Sequence, residues 1–129
     1  MPNQENELTV IIKAKDLCSY VINITQRSPK QFRFTFVSRL QNLCLDVIEN
    51  LYRANDTFVA AGDREARKER LRFQHKAMTD LKLLSYIAFL AVENKCILPK
   101  HFEQISRRST ECRYLLGGWL NSDKRRLQS

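Results

Sequence analysis

His75 and His101 are the only histidines in the chain, and Cys18, Cys44, Cys96 and Cys112 the only cysteines. Chemistry that relies on an imidazole or a thiolate would have to be assembled around them. A catalytic dyad or triad needs a nucleophile, a base and a carboxylate at spacings that bring them together. Neither histidine has such neighbours: His75 lies inside a cationic run, and His101 falls in the first turn of an expected helix. No two cysteines form C-x-x-C, and the short ligand spacings of a structural zinc site are missing. Cys18, Cys44 and Cys112 are each in phase with apolar neighbours, as core residues are, and Cys96 is expected in a loop. Glu103 and Glu111 stand two turns apart without the Glu-x-x-His partners of a di-iron bundle. No glycine-rich phosphate loop is present. These residues point to no catalysis, no cofactor and no metal, so the chain is expected to act by binding.

The chemistry that the sequence does supply is positive charge. Residues 1–63 carry seven Lys/Arg and seven Asp/Glu, whereas residues 64–129 carry fifteen and seven, so the whole net charge of +8 lies in the second half. Between residues 64 and 76 six basic residues meet only Glu65 and Glu69, a surplus that i,i+3 or i,i+4 pairing cannot absorb. Such asymmetry suits the neutralisation of phosphates. The candidate nucleic-acid contacts are Arg64, Arg67, Lys68, Arg72, Lys76 and Lys82, then Arg107 and Arg108, then Lys124, Arg125 and Arg126. A solvated, ion-paired helix face and a surface that meets only an acidic protein are the competing readings.

Those residues need elements to position them. Three glycines and three prolines leave little material for hairpins, and apolar residues recur at helical spacing almost throughout. Four helices are predicted, over about residues 8–27, 29–55, 63–94 and 99–121, with a frayed basic tail at 122–129. The first buries Leu8, Ile11, Cys18, Val21, Ile22 and Thr25. Ser28 and Pro29 suit the N-cap and first position of the second helix, which buries Phe36, Leu40, Leu43, Cys44, Val47 and Leu51 and pairs Glu49 with Arg53. Asp63 suits the N-cap of the third, whose inward stripe is Met78, Leu81, Ser85, Ala88 and Val92, widened by Ala77, Leu84 and Ala91. The fourth buries Phe102, Ile105, Ser109, Cys112, Leu116 and Trp119. Short connections between long helices predict one all-α domain, an antiparallel four-helix bundle. The opening MPNQENELTV lacks the basic flank and apolar run of a signal peptide. The longest apolar block, 83–92, is about half a membrane span. A cytoplasmic protein without membrane contact is expected.

Two features exceed what a lone bundle needs. The third helix carries a second apolar face, Leu83, Tyr86, Ile87 and Leu90, which suits either a subunit interface or deeper burial. The fourth carries two of the three glycines, Gly117 and Gly118, just before the single tryptophan. Either the helix stops there, or it continues and the glycines admit close approach, one within the bundle and one, beside Tyr114, to a neighbouring subunit.

The stretches KAKDLCSYVINITQRSPKQFRFTFVSRL (13–40), LDVIENLYRAN (45–55), LKLLSYIAFLAVENKCILPKHF (81–102) and RYLLGGWL (113–120) together resemble a four-helix-bundle protein family. That family includes the small proteins encoded in ribosomal RNA intervening sequences. It also includes Avd, the accessory variability determinant of diversity-generating retroelements. The RYLLGGW ending and the basic surplus favour the Avd branch. The resemblance implies a non-enzymatic partner protein: a homopentameric barrel that binds the retroelement reverse transcriptase, binds RNA or DNA through a basic surface, and supports mutagenic complementary-DNA synthesis. The other branch implies an RNA-binding or purely protein-binding scaffold.

Overall fold

The computed structural model describes residues 2–127, with side chains from Thr9 onward; the Leu8 side chain and the last two residues of the expected tail lie outside what is described. Helix α1 (Pro2–Thr25) turns Val10, Ile11, Ala14, Leu17, Cys18 and Val21 inward, the i, i+3/i+4 stripe that makes an amphipathic helix bury one face. Thr25 closes it. Its buried hydroxyl donates to the Val21 carbonyl at 2.7 Å, so no polar atom is left without a partner there.

The second helix does not start at Pro29. A single 3₁₀ turn, Lys30–Phe32, leads into a π turn, Arg33–Val37, and only then into α2 (Ser38–Asp56). The segment is rich in aromatic and β-branched residues, which crowd a regular helix. The wider π turn lets Phe32 and Phe36 both pack against the core, with ring centroids 5.9 Å apart, while Phe34 points to water. Ser28 is not an N-cap; its hydroxyl donates instead to the Cys96 carbonyl across the bundle end. Helix α2 buries Leu40, Leu43, Cys44, Val47, Leu51 and Ala54, and Arg53 pairs with Glu49 at 3.2 Å as expected.

An extended link with a turn at Gly62 (φ +81°) delivers Asp63, whose carboxylate accepts the Ala66 N–H and caps α3 (Arg64–Glu93). A tight turn then leads to Pro99, which opens α4 (Pro99–Arg126). Helix α1 packs on α2 and α4, and α3 on α2 and α4, with each helix antiparallel to its neighbours. The core is one layer stack in which Leu17, Leu40, Leu51, Leu81, Leu84, Ile105, Leu116 and Trp119 are fully enclosed. All four cysteines are buried thiols, Cys96 included although it lies in the α3–α4 turn.

This connectivity places α3 beside α4 along their length. The two helices that hold the basic excess therefore form one side of the molecule. Antiparallel packing puts the start of α3 against the end of α4.

Candidate nucleic-acid interface

Where α3 begins and α4 ends, the core stripe turns polar without leaving the core. On α3, Arg70 and Gln74 continue the inward phase of Ala77 and Leu81; on α4, Asp123 continues that of Leu116 and Trp119. Arg70 grips Asp123 through one edge of its guanidinium, Nε donating to Oδ2 at 2.7 Å and Nη2 to Oδ1 at 3.1 Å, and each side chain is only 8% exposed. Gln74 donates to the same carboxylate at 2.9 Å and Arg126 at 2.6 Å. The Arg70 guanidinium also lies 5.0 Å from the centroid of the Trp119 ring. A carboxylate out of water requires this many donors, because unpaired it would carry its full desolvation cost.

That network corrects the sequence reading at two points. The chain does not fray after residue 121; α4 runs through Gly117 and Gly118 and on to Arg126. Burying Asp123 holds its last turn down. Arg70, Gln74 and Asp123 were not among the candidate residues. Their signal was available in the spacings 70, 74, 77, 81 on α3 and 105, 109, 112, 116, 119, 123 on α4, which keep the core phase while ending on polar side chains.

Around this anchor the exposed cations of both helices converge. Arg64, Arg67 and Lys68 of α3 and Arg126 of α4 line a cleft of about 700 Å³, and a second cleft of about 320 Å³ runs on past Arg67, His75 and Lys124. Arg67 donates to the Leu127 carbonyl at 2.9 Å, so it bridges the helix ends. Leu71 and Leu127 form an apolar ridge common to the two clefts. Arg125 is exposed on the outward side of the same turn.

The remaining candidates lie elsewhere. Arg72 is tied to Glu69 at 3.7 Å and stacks on Phe73 at 4.7 Å. Lys76 faces Asp80 on the α2 side, where its charge partly offsets the burial and the Asp46 charge that raise the Asp80 pKa. Lys82 is exposed farther along α3. Arg107, about 25 Å from Lys124 by helical rise, is paired with Glu103 at 3.4 Å. Arg108 is half-buried over the Tyr20 ring at 4.8 Å, in the packing of α1 on α4.

The expected second apolar face is split. Leu83 and Tyr86 are exposed, Tyr86 by 65%, but Leu90 is only half exposed and Ile87 packs against the core. Phe89, which the sequence reading passed over, is exposed beside them and meets Phe102 edge-on at 5.8 Å. On α4 Tyr114 is 81% exposed, and a Cβ on either Gly117 or Gly118 would meet nothing within 4 Å. Neither glycine is demanded by packing inside the bundle, contrary to the role expected for one of them.

Among the described residues no three His, Cys, Asp or Glu side chains are grouped so as to hold a metal ion, and no helix is long and apolar enough to cross a membrane. His101 Nδ1 accepts the Leu98 N–H at 3.1 Å, and burial together with the charges of Lys100 and Arg27 lowers its pKa. Burial pushes the Cys112 thiol up to about 12, and Cys18, hydrogen-bonded to Cys44, raises the Cys44 thiol further than burial does.

No family model and no curated protein matches the chain. Among solved structures, the chain is similar to the crystal structure of a protein of unknown function from the S23 ribosomal protein family of Bacteroides thetaiotaomicron. The TM-score is 0.75, at 16% sequence identity, over 88% of this chain and 96% of that one. At this identity the likeness is one of fold: four antiparallel helices of the same arrangement.

Proposed function

We propose that this protein is a non-catalytic RNA-binding bundle of the kind encoded in ribosomal RNA intervening sequences, and that it grips phosphates at the end where α3 begins and α4 stops. The observation that carries the reading is the convergence of Arg64, Arg67 and Lys68 with Lys124 and Arg126 around two confluent clefts. The likeness to the S23-family structure supports the same branch. Charges from two helices, fixed by a buried Arg70–Asp123 pair, present a cationic surface of set shape, and phosphate contacts of this sort position a nucleic acid without reading its bases. The test is a salt series of RNA binding by the full chain. Steep loss of affinity with salt is expected, and Arg64→Glu/Lys68→Glu/Lys124→Glu should weaken binding at least about tenfold at low salt while helical content is unchanged. Undiminished binding by that variant would overturn the assignment.

A second reading is an Avd-like accessory of a reverse transcriptase, assembled as a homopentamer and supporting mutagenic complementary-DNA synthesis. The exposed strip of Leu83, Tyr86 and Phe89 and the open ground at Tyr114, Gly117 and Gly118 favour self-association. Light scattering separates the readings. Leu83→Asp should yield smaller, still helical particles if the strip is an interface, and particles of unchanged mass if it is not.

A further inference from the structure

The opposite end of the bundle holds cations that a run-based reading of charge passes over, because they come from two turns far apart in the chain. There the α1–α2 turn and the α3–α4 turn are tied together by Ser28, whose hydroxyl donates to the Cys96 carbonyl at 2.8 Å. Two clefts, of about 550 and 400 Å³, meet at Ser28 and Pro29. Lys30 and Arg33 line the first; Arg27, Lys95 and Lys100 line the second. No acidic residue lines either cleft, and among the described residues no carboxylate is paired with any of the five cations.

Two further observations distinguish this pole from an ordinary solvated surface. Phe34, on the wall of the first cleft, is 87% exposed, so its whole phenyl face is available and gains nothing from packing in the bundle. Lys95 sits at φ +64°, a left-handed conformation in which a glycine or asparagine is the ordinary occupant at the end of a helix. The strained backbone there holds a lysine ammonium at the cleft instead. His101, at the same pole, has its pKa lowered first by burial and then by the charges of Lys100 and Arg27.

We propose that this pole is a second, separate nucleic-acid site, suited to single strands: the five cations hold successive phosphates, and Phe34 stacks one unpaired base. Stacking on an exposed aromatic is open to any base whose face is free, which a duplex does not offer. An acidic peptide would use the cations but not the phenyl face. The site lies about 45 Å from the α3–α4 interface, the length of α3, and it stands or falls independently of that interface.

The experiment is fluorescence anisotropy of the full chain with a labelled oligouridylate of about twelve nucleotides, at low salt, beside a labelled RNA duplex. In the Arg64→Glu/Lys68→Glu/Lys124→Glu background the oligouridylate should still bind. Adding Lys30→Glu/Arg33→Glu should remove that residual binding by at least about tenfold. Phe34→Ala alone should weaken the oligouridylate about tenfold and leave the duplex unchanged. Lys95→Gly guards against misfolding as an explanation: it should melt no lower than the parent while binding a few-fold more weakly. The proposal is overturned if the triple variant retains no oligouridylate binding, or if Lys30→Glu/Arg33→Glu binds as the parent does. It is also overturned if a polyglutamate peptide competes as well as RNA and Phe34→Ala is silent, which would assign the pole to an acidic protein. Loss of all binding in the triple variant, with Phe34→Ala silent, leaves the α3–α4 reading intact. Binding that depends only on Lys30, Arg33 and Phe34 removes that reading and keeps this one.

Discussion

The two ends of this bundle both gather cations and use them in opposite ways. At the α3–α4 end the positive charge is dense along the chain, yet much of it is already engaged. Arg70 is buried against Asp123, Arg126 shares the same carboxylate, Arg67 holds a carbonyl, and Lys68 and Arg72 are near Glu65 and Glu69. At the other end the cations are sparse in sequence and assembled by two turns, and among the described residues no carboxylate is paired with them. A run of basic residues on a helix brings its own counter-charges and its own structural duties. Cations gathered from separate turns bring neither. Density in sequence is thus a poor measure of free charge in space.

The sharpest way to break the comparison is to remove the buried anchor. Asp123→Ala removes the carboxylate that grips the enclosed Arg70 guanidinium, which keeps its bond to the Thr57 carbonyl, and a loss of about 3–5 kcal/mol is expected in chemical denaturation. The double replacement Arg70→Met/Asp123→Leu should recover most of it, since an apolar pair of similar volume needs no solvation. An Asp123→Ala chain as stable as the parent would mean that the network does not hold the end of α4.

A smaller effect separates engaged from unengaged cations. Lys30→Gln/Arg33→Gln should flatten the dependence of log affinity on log salt for single-stranded RNA by about 1.4, two phosphate contacts' worth. Arg72→Gln and Arg107→Gln, each paired with a glutamate one turn away, should each change it by well under the value for one full contact. Equal slopes for the two sets would erase the distinction between the ends.

The glycines give a test of lesser magnitude. Because a Cβ at Gly117 or Gly118 meets open space and both lie in a continuous helix, alanine at either should raise stability by about 0.5–1 kcal/mol in thermal melts. If the bare backbone instead admits a neighbouring copy, Gly117→Ala or Gly118→Ala should also lower the particle mass in light scattering.

The smallest expected change is with pH. His101 has its folded pKa below the ordinary imidazole value, and its Nδ1 must be unprotonated to accept the Leu98 N–H. A depressed folded pKa means that the unfolded chain takes up the proton first as pH falls. The contribution of His101 is therefore complete above the ordinary imidazole pKa and is lost as pH drops through the lowered folded value. The melting temperature of the parent should fall across that window by more than that of His101→Ala. Parallel curves would assign the acid sensitivity elsewhere.

Most of the fold was legible in the residues. Apolar spacing located all four helices, and Asp63, Pro99 and the Glu49–Arg53 pair sit where their chemistry placed them. The entry to α2 was not legible. A Ser-Pro dipeptide reads as a helix start, but Ser28 is drawn to Cys96, 68 residues away, and the phenylalanines choose a π turn. At the candidate interface the sequence over-counted the free charge of α3 and α4. Arg107 and Arg108 were credited to it although one has a glutamate a turn away and the other a tyrosine ring on α1.

Composition and periodicity alone determined that this chain is helical, that its helices bury one stripe each, and that its excess charge is positive. Those properties follow from side-chain type and the angle between successive residues, which are local. Only the tertiary structure decided which cations are free, that α4 is pinned to its end by a buried carboxylate, and that two distant turns make one cationic pole. Pairing and burial depend on which helix faces come together, and no spacing along a single helix contains that information.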